Sequence, residues 1–171
     1  MMNDKHFLRR FGLVLSLLLV PVFALAADNP AVQRLIDKNE IENLLMQYTY
    51  AFDQLDADGY VATFTEDAEF DLGGGQVLKG REQIRTLITS RQAEPQPDGV
   101  LMHHIVTNSS YDFASASEVH HYGYWITMVG DMQNGFTVPA MGHYEDVVVK
   151  SNGQWLFKSR KLVLPGGMAG Q

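Results

Sequence analysis

The chain has 171 residues, of which 20 are acidic and 13 are basic, and it contains no cysteine. The resulting net charge of −7 argues against nucleic-acid binding, because phosphates require a basic face. The lack of cysteine excludes disulfides, thiolate metal sites, cysteine nucleophiles and a lipidated N-terminal cysteine.

The first 26 residues have the pattern of a secretory signal peptide. A basic head, MMNDKHFLRR, precedes an apolar run that ends in the small-residue pattern Ala24-Leu25-Ala26. The run contains Pro21 and falls short of the ~20 apolar residues of a membrane-spanning helix, so no anchor is expected after cleavage. We expect cleavage after Ala26 and a periplasmic or secreted protein. The remaining 145 residues, with 10 basic and 19 acidic side chains, have the size of one domain.

Residues 29–92 show mainly helical spacing. Asn29 and Pro30 are typical of a helix start, and apolar residues at helical intervals predict a long first helix to about residue 55. DADGYVATFTED predicts a short second helix. AEFDL and QVLKG predict a hairpin around the glycines at 73–75, and REQIRTLITSRQ predicts a third helix.

The hydrophobic period changes to two after the loop EPQPDG. It predicts strands at about 101–113, 118–130, 136–150 and 155–164. Helices followed by an antiparallel meander predict an α+β fold in which a curved sheet encloses a pocket. We expect one domain over 27–164 and a flexible tail over 165–171.

Two polar residues interrupt the apolar face of the first helix. Tyr48 brings a hydroxyl to that face, and Asp53 lies at its border. The structural alternatives are a core tyrosine whose hydroxyl finds a local partner and a solvated aspartate near a helix end.

The run LMHHIVTNSS places two histidines side by side on a predicted strand. His103 and His104 must point to opposite faces, and both faces are mixed, so the periodicity alone does not choose between them. His120, His121 and His143 lie on the following strands. Because the chain has neither a His-x-His pair nor an HExxH helix, we expect no metal site.

Arg160 has two interpretations in the last strand. It shares its parity with Leu156 and Leu162, and if these leucines face inward a buried charge needs a partner or a ligand. Lys158 has the same parity and favours a surface arginine instead.

The order of these features carries a family resemblance. The motifs are Tyr48-x4-Asp53, FTEDAEF at 64–70, HIVTN at 104–108, GHYED at 142–146 and SNGQWLFKSR at 151–160. Together they resemble the SnoaL-like families of the nuclear transport factor 2-like superfamily, over residues 31–164. The resemblance implies a cone-shaped α+β fold with about three N-terminal helices.

Within that group the chain is similar to cofactor-free lyases, namely scytalone dehydratase, hexachlorocyclohexane dehydrochlorinase and bile acid 7α-dehydratase. The resemblance implies a catalytic dyad of Asp53 and His104, with Tyr48 and Arg160 as further catalytic residues. Tyr48 stands where the dehydrochlorinase has a lysine. Tyr144 and Gly142 replace the asparagine and serine of scytalone dehydratase, which argues against its particular substrate.

The implied reaction is proton abstraction by His104, beside a carbonyl or a leaving group. Asp53 fixes the tautomer of the imidazole, Tyr48 donates a hydrogen bond to the reacting oxygen, and Arg160 stabilises negative charge. This chemistry requires no metal or organic cofactor. Strand parity further predicts an aromatic pocket suited to a flat or polycyclic apolar substrate, lined by Phe70, Val106, His121, Trp125 and Tyr144.

Three functions follow from the sequence. The first is a dehydratase-like lyase or isomerase, the second an exported binding module for an apolar ligand, and the third a structural or dimerisation domain. The contact between Asp53 and His104 separates the first from the others. The resemblance also implies a homodimer formed through the outer face of the sheet.

Overall fold

The computed structural model describes residues 29–95 and 98–165. The expected signal peptide and residues 166–171 of the expected tail lie outside the described residues. The chain divides into two compact units, Met1–Asn39 and Glu40–Gln171. Within the described ranges, no helix combines the length and the hydropathy needed to cross a membrane.

Helices and strands follow one another in the order α1, α2, β1, β2, α3, β3, β4, β5, β6. The helices are α1 (Pro30–Asp53), α2 (Ala57–Ala62) and α3 (Gly80–Gln92). The strands are β1 (Phe64–Asp71), β2 (Val77–Lys79), β3 (Leu101–Phe113), β4 (Glu118–Asp131), β5 (Gly135–Ser151) and β6 (Gln154–Val163). In the first unit, the Asn29 side chain accepts a hydrogen bond from the Ala31 N–H at 2.9 Å, which caps the start of α1.

The six strands form one open sheet in the order β2-β1-β6-β5-β4-β3. Every neighbouring pair is antiparallel except β1 and β6, which run parallel. The helices precede the long meander β3 to β6 along the chain, so the expected α+β class is confirmed. β3 lies at one edge of the sheet, and this position matters for the candidate site.

The second unit has a continuous hydrophobic core between its helical segments and the sheet. Aromatic side chains dominate it, and several are almost completely buried: Tyr48, Tyr60, Phe64, Phe70, Trp125, Tyr144, Trp155 and Phe157. Because these rings lie on both helices and strands, the core is also the lining from which a ligand cavity can be built.

The boundary between α2 and β1 differs from the sequence prediction. The pattern predicts a helix through residue 67, but α2 ends at Ala62 and β1 begins at Phe64. Phe64 pairs in parallel with Phe157 of β6, and the Phe157 N–H donates to the Thr63 carbonyl at 2.9 Å. Both phenyl rings are fully buried. Pairing with a strand about 90 residues away overrides the local helical spacing.

Candidate active site

Asp53 and His104 form a hydrogen-bonded pair between the end of α1 and the edge strand β3. One carboxylate oxygen, Oδ2, accepts the His104 backbone N–H at 2.9 Å. The other, Oδ1, lies 2.5 Å from the imidazole Nδ1. An ionised carboxylate only accepts hydrogen bonds, so Nδ1 carries the proton and Nε2 keeps a free lone pair. The pair thus presents a base of defined tautomer.

The local chain explains this placement. α1 stops after Asp53 because Leu55 adopts a left-handed conformation with φ of 55°, and Asp56 then caps α2 by accepting the Gly59 N–H at 3.0 Å. On the other side, an edge strand has N–H groups that no neighbouring strand accepts. Asp53 satisfies the one at His104, which fixes both the strand and the imidazole relative to the helix.

The two adjacent histidines have different environments. The His104 side chain is 13% exposed and packs edge-on against the Phe52 ring, with 4.6 Å between ring centroids. The His103 side chain is 56% exposed, and its Nδ1 is 3.9 Å from Asp53 Oδ2. His104 is therefore the histidine that faces the interior.

His104 lines a cavity of about 200 Å³ in the second unit. The other lining residues are mostly aromatic or aliphatic: Tyr48, Phe52, Tyr60, Phe70, Leu72, Leu87, Trp125, Thr127, Ala140, Tyr144 and Leu162. Three of the five residues predicted to line the pocket are among them, namely Phe70, Trp125 and Tyr144.

The cavity tyrosines are neutral hydrogen-bond donors. The Tyr60 hydroxyl donates to the Tyr48 hydroxyl at 3.0 Å. Burial, together with the neighbouring Tyr48, raises the pKa of Tyr60 and of Tyr144 well above 10.0. Tyr48 also forms a hydrogen bond with Tyr144, so the three hydroxyls make one cluster in the cavity wall.

Arg160 does not line the cavity. Its guanidinium is fully buried and binds Asp146 through two bonds, from Nε to Oδ1 at 2.8 Å and from Nη2 to Oδ2 at 2.7 Å. The cation lies 4.1 Å from the Tyr48 ring centroid and 3.9 Å from that of Tyr144. The implied direct contact with a substrate anion is therefore replaced by a position behind the tyrosines, where the charge is already neutralised.

The other two predicted lining residues also lie elsewhere. Val106 is on the same face of β3 as His104 but lines a groove of about 510 Å³ beside α1, which His104 also borders. His121 is fully buried against Asp146, with Nδ1 2.7 Å from Oδ2. Strand parity found the inward face correctly, but it does not specify the position along that face.

No cluster of three or more His, Asp or Glu side chains with metal-binding geometry occurs in residues 29–95 and 98–165.

A family model described as a SnoaL-like domain matches residues 33–161. The chain belongs to the SnoaL-like domain family. No curated protein matches the sequence.

Solved structures show the same fold as this SnoaL-like domain. A protein of unknown function from Mycobacterium tuberculosis is 22% identical, with a TM-score of 0.70 over 80% of this chain and 76% of the other. A candidate scytalone dehydratase from Novosphingobium aromaticivorans is 24% identical, with a TM-score of 0.67 over 77% and 86%. Aln2 from a Streptomyces species is 25% identical, with a TM-score of 0.67 over 74% and 89%.

One polar group of this SnoaL-like domain was not predicted from the sequence. The indole Nε1 of Trp125 is buried and has no hydrogen-bond partner among the described residues, although the ring lines the cavity. A Cβ at Gly142 would lie 2.3 Å from the Val163 carbonyl oxygen and 3.1 Å from Trp125 Cζ2, so this position beside the ring requires glycine. A buried N–H without an acceptor is unusual and suits a ligand oxygen. The glycine–tryptophan pairing across β4 and β5 is a tertiary feature that the local pattern does not show.

Acid unfolding of the SnoaL-like domain should depend on Asp146. Burial opposes its ionisation, but the charge and hydrogen bonds of Arg160 and the bond from His121 outweigh it, so the pKa of this carboxyl lies below its ordinary value of 3.8. A pKa lowered by folding gives stability that is complete above the unfolded value and is lost as the pH falls through the folded value. We expect the urea concentration at the unfolding midpoint to decrease as the pH is lowered below about 4. The decrease should be less steep in Asp146→Asn. An equal dependence of the urea midpoint on pH in the two proteins would contradict this.

Proposed function

We propose that this SnoaL-like domain is a cofactor-independent lyase or isomerase of the dehydratase type. Its substrate is a small hydrophobic ring compound that carries a carbonyl and a β-leaving group. The single observation that carries the proposal is the Asp53–His104 pair, which holds an imidazole by its Nδ1 in the lining of an aromatic cavity. A structural neighbour that is a candidate scytalone dehydratase supports the same class of reaction.

The reaction follows from acid-base chemistry at His104. Nε2 removes a proton from the carbon next to the carbonyl, and the electron pair forms an enolate. The imidazolium then gives that proton to the departing β-hydroxyl, so that water leaves and a carbon–carbon double bond forms. Asp53 remains ionised throughout and offsets the transient positive charge on the ring.

The enolate oxygen needs hydrogen-bond donors in the cavity. The Trp125 indole N–H has no acceptor among the described residues, and the Tyr48 hydroxyl lies in the same lining, hydrogen-bonded to neighbouring tyrosines. Donors fixed in an apolar site stabilise developing charge more than water does, because they need no reorganisation. Arg160 supports Tyr48 from behind, with its cation over the tyrosine ring.

The size of the cavity limits the substrate. A volume of about 200 Å³ is below the usual range of roughly 300–1,000 Å³ for drug-sized ligands, whereas an engineered apolar cavity of about 150 Å³ binds benzene. We therefore narrow the expected substrate from polycyclic compounds to those with one or two rings.

A series of cyclic β-hydroxyketones tests this proposal. Compounds with one, two and four rings are incubated with the protein, and the enone product is followed by its ultraviolet absorbance. We expect turnover of the one- and two-ring compounds and none of the four-ring compound. Saturable binding of the small compounds without enone formation would contradict the lyase and favour the binding module.

Two further expectations remain proposals. Export after cleavage at Ala26 would place the reaction in the periplasm or outside the cell. A homodimer through the outer sheet face is supported by exposed apolar side chains on three adjacent strands, including Ile105, Tyr124 and Met141.

A further inference from the structure

A second hydrogen-bonded chain of side chains lies apart from the aromatic cavity. Asp146 Oδ2 is 2.7 Å from His121 Nδ1, and His121 Nε2 is 3.1 Å from the Ser109 hydroxyl. The His121 and Asp146 side chains are fully buried. An acid, an imidazole and a hydroxyl in this order are the arrangement by which a serine becomes a nucleophile.

The protonation pattern suits that role. Asp146 accepts two hydrogen bonds from Arg160 and is therefore a carboxylate, which can only accept from His121. The proton on His121 thus lies on Nδ1, and Nε2 has the lone pair that accepts the Ser109 hydroxyl proton. Arg160 and Asp146 neutralise each other, so the pair places no net charge beside the imidazole.

A β-bulge brings Ser109 to the histidine. The register of β3 on β4 shifts between Thr107 and Ser110, and Asn108 adopts a left-handed conformation with φ of 52°. Asn108 and Ser109 together oppose a single residue of β4, Gly123. Such bulges redirect a side chain, and here Ser109 turns inward although strict alternation from His104 would place it outward.

Gly123 leaves the space that the contact requires. A Cβ at this position would lie 3.0 Å from His121 Nε2 and 3.1 Å from Ser109 Oγ. A larger residue would push the two groups apart. The bulge and the glycine are separate features of neighbouring strands, and both converge on one hydrogen bond.

Ser109 is also accessible to a ligand. It is half-buried and lines the groove of about 510 Å³ beside α1, whereas His121 behind it is sealed from solvent. The volume lies within the roughly 300–1,000 Å³ of small-molecule sites. Leu45, Met46 and Val106 make part of the wall apolar.

We propose that Ser109 is a nucleophilic serine, with His121 as its general base, that reacts with carboxylic esters carrying an apolar acyl group. The serine oxygen forms a bond to the carbonyl carbon while its proton passes to His121 Nε2 and the carbonyl electron pair moves onto oxygen. The carbonyl then re-forms, the bond to the alcohol oxygen breaks, and the alcohol takes the proton from His121. Water attacks the acyl-serine by the same two steps, which releases the carboxylic acid and restores the hydroxyl.

Labelling of the full chain with diisopropyl fluorophosphate tests the proposal. The phosphorylated residue is identified by peptide mass spectrometry, and p-nitrophenyl butyrate reports ester cleavage. We expect labelling at Ser109, its loss in Ser109→Ala, and unchanged labelling in Ser110→Ala, the exposed neighbour on the same strand. His121→Gln should slow labelling by about 100-fold or more, which is the contribution of a general base.

Two more variants complete the test. Gly123→Ala removes no polar group but forces His121 or Ser109 to shift, so it should slow labelling, and this test remains if His121→Gln does not fold. His103→Gln, at a largely exposed side chain that does not line the groove, should leave labelling unchanged. An unlabelled Ser109 in the folded wild-type protein, or equal labelling rates in the wild type and Gly123→Ala, would overturn the proposal.

Discussion

Replacing His104 by glutamine is expected to lower the rate of enone formation by about 10²- to 10⁴-fold, the usual contribution of a positioned general base. This corresponds to about 2.7–5.4 kcal/mol of transition-state stabilisation. The variant should still fold, because Asp53 also accepts the backbone N–H of residue 104, and that hydrogen bond does not depend on the side chain. The measurement is kcat with a two-ring β-hydroxyketone.

Asp53→Asn should cause a loss of similar order through a different route. An asparagine does not require the proton of His104 to lie on Nδ1. The imidazole can then present an N–H at Nε2 to the substrate instead of a lone pair. His103→Gln is the matched control, since its side chain is largely exposed, and its kcat should stay within about twofold of wild type. Loss of activity in His103→Gln equal to that in His104→Gln would contradict the assignment.

Replacing Arg160 by methionine is expected to reduce the free energy of unfolding by about 3–5 kcal/mol. The substitution leaves the carboxylate of Asp146 buried without its charge partner, and the solvent cannot reach it. Urea unfolding followed by tryptophan fluorescence measures the change. The double variant Asp146→Leu/Arg160→Met should recover part of the loss, because it removes both charges together.

Lys161→Met provides the comparison on the same strand. Lys161 pairs with Glu145 at 2.8 Å, but these side chains are 50% and 48% exposed. Exposed pairs contribute about 0–1 kcal/mol, so this variant should change the stability little. If the free energy of unfolding decreases no more in Arg160→Met than in Lys161→Met, the buried pair does not stabilise the fold.

The strands of the meander could be predicted because alternation is a local property of the sequence. The inward orientation of Arg160 could not be predicted, because a β-bulge interrupts the alternation between β5 and β6. The register of β5 on β6 shifts at Lys158, between the pairs Val148–Phe157 and Val147–Ser159. Phe157 and Arg160 therefore both face inward, whereas strict alternation groups Arg160 with Lys158. Lys158 instead pairs with Asp67 on the surface.

The choice between His103 and His104 also could not be made from local alternation. Alternation establishes that only one of the two faces inward, but the choice depends on how β3 meets α1 at the sheet edge. Asp53 and His104 are 51 residues apart, and their contact depends on tertiary packing. The resemblance to lyases selected this pair from the sequence, whereas the partner of Arg160 and the unpaired Trp125 N–H required the structure.

The rate at which a one-ring ketone exchanges its α-proton with D₂O is a direct test of His104 as the general base, because it measures proton abstraction without requiring a leaving group. Wild-type protein, His103→Gln and His104→Gln are compared by mass spectrometry of the recovered ketone. We expect equal deuterium incorporation with wild type and His103→Gln, and incorporation at least about 100-fold slower with His104→Gln. Exchange that is catalysed equally by all three proteins would contradict the assignment of His104 as the base.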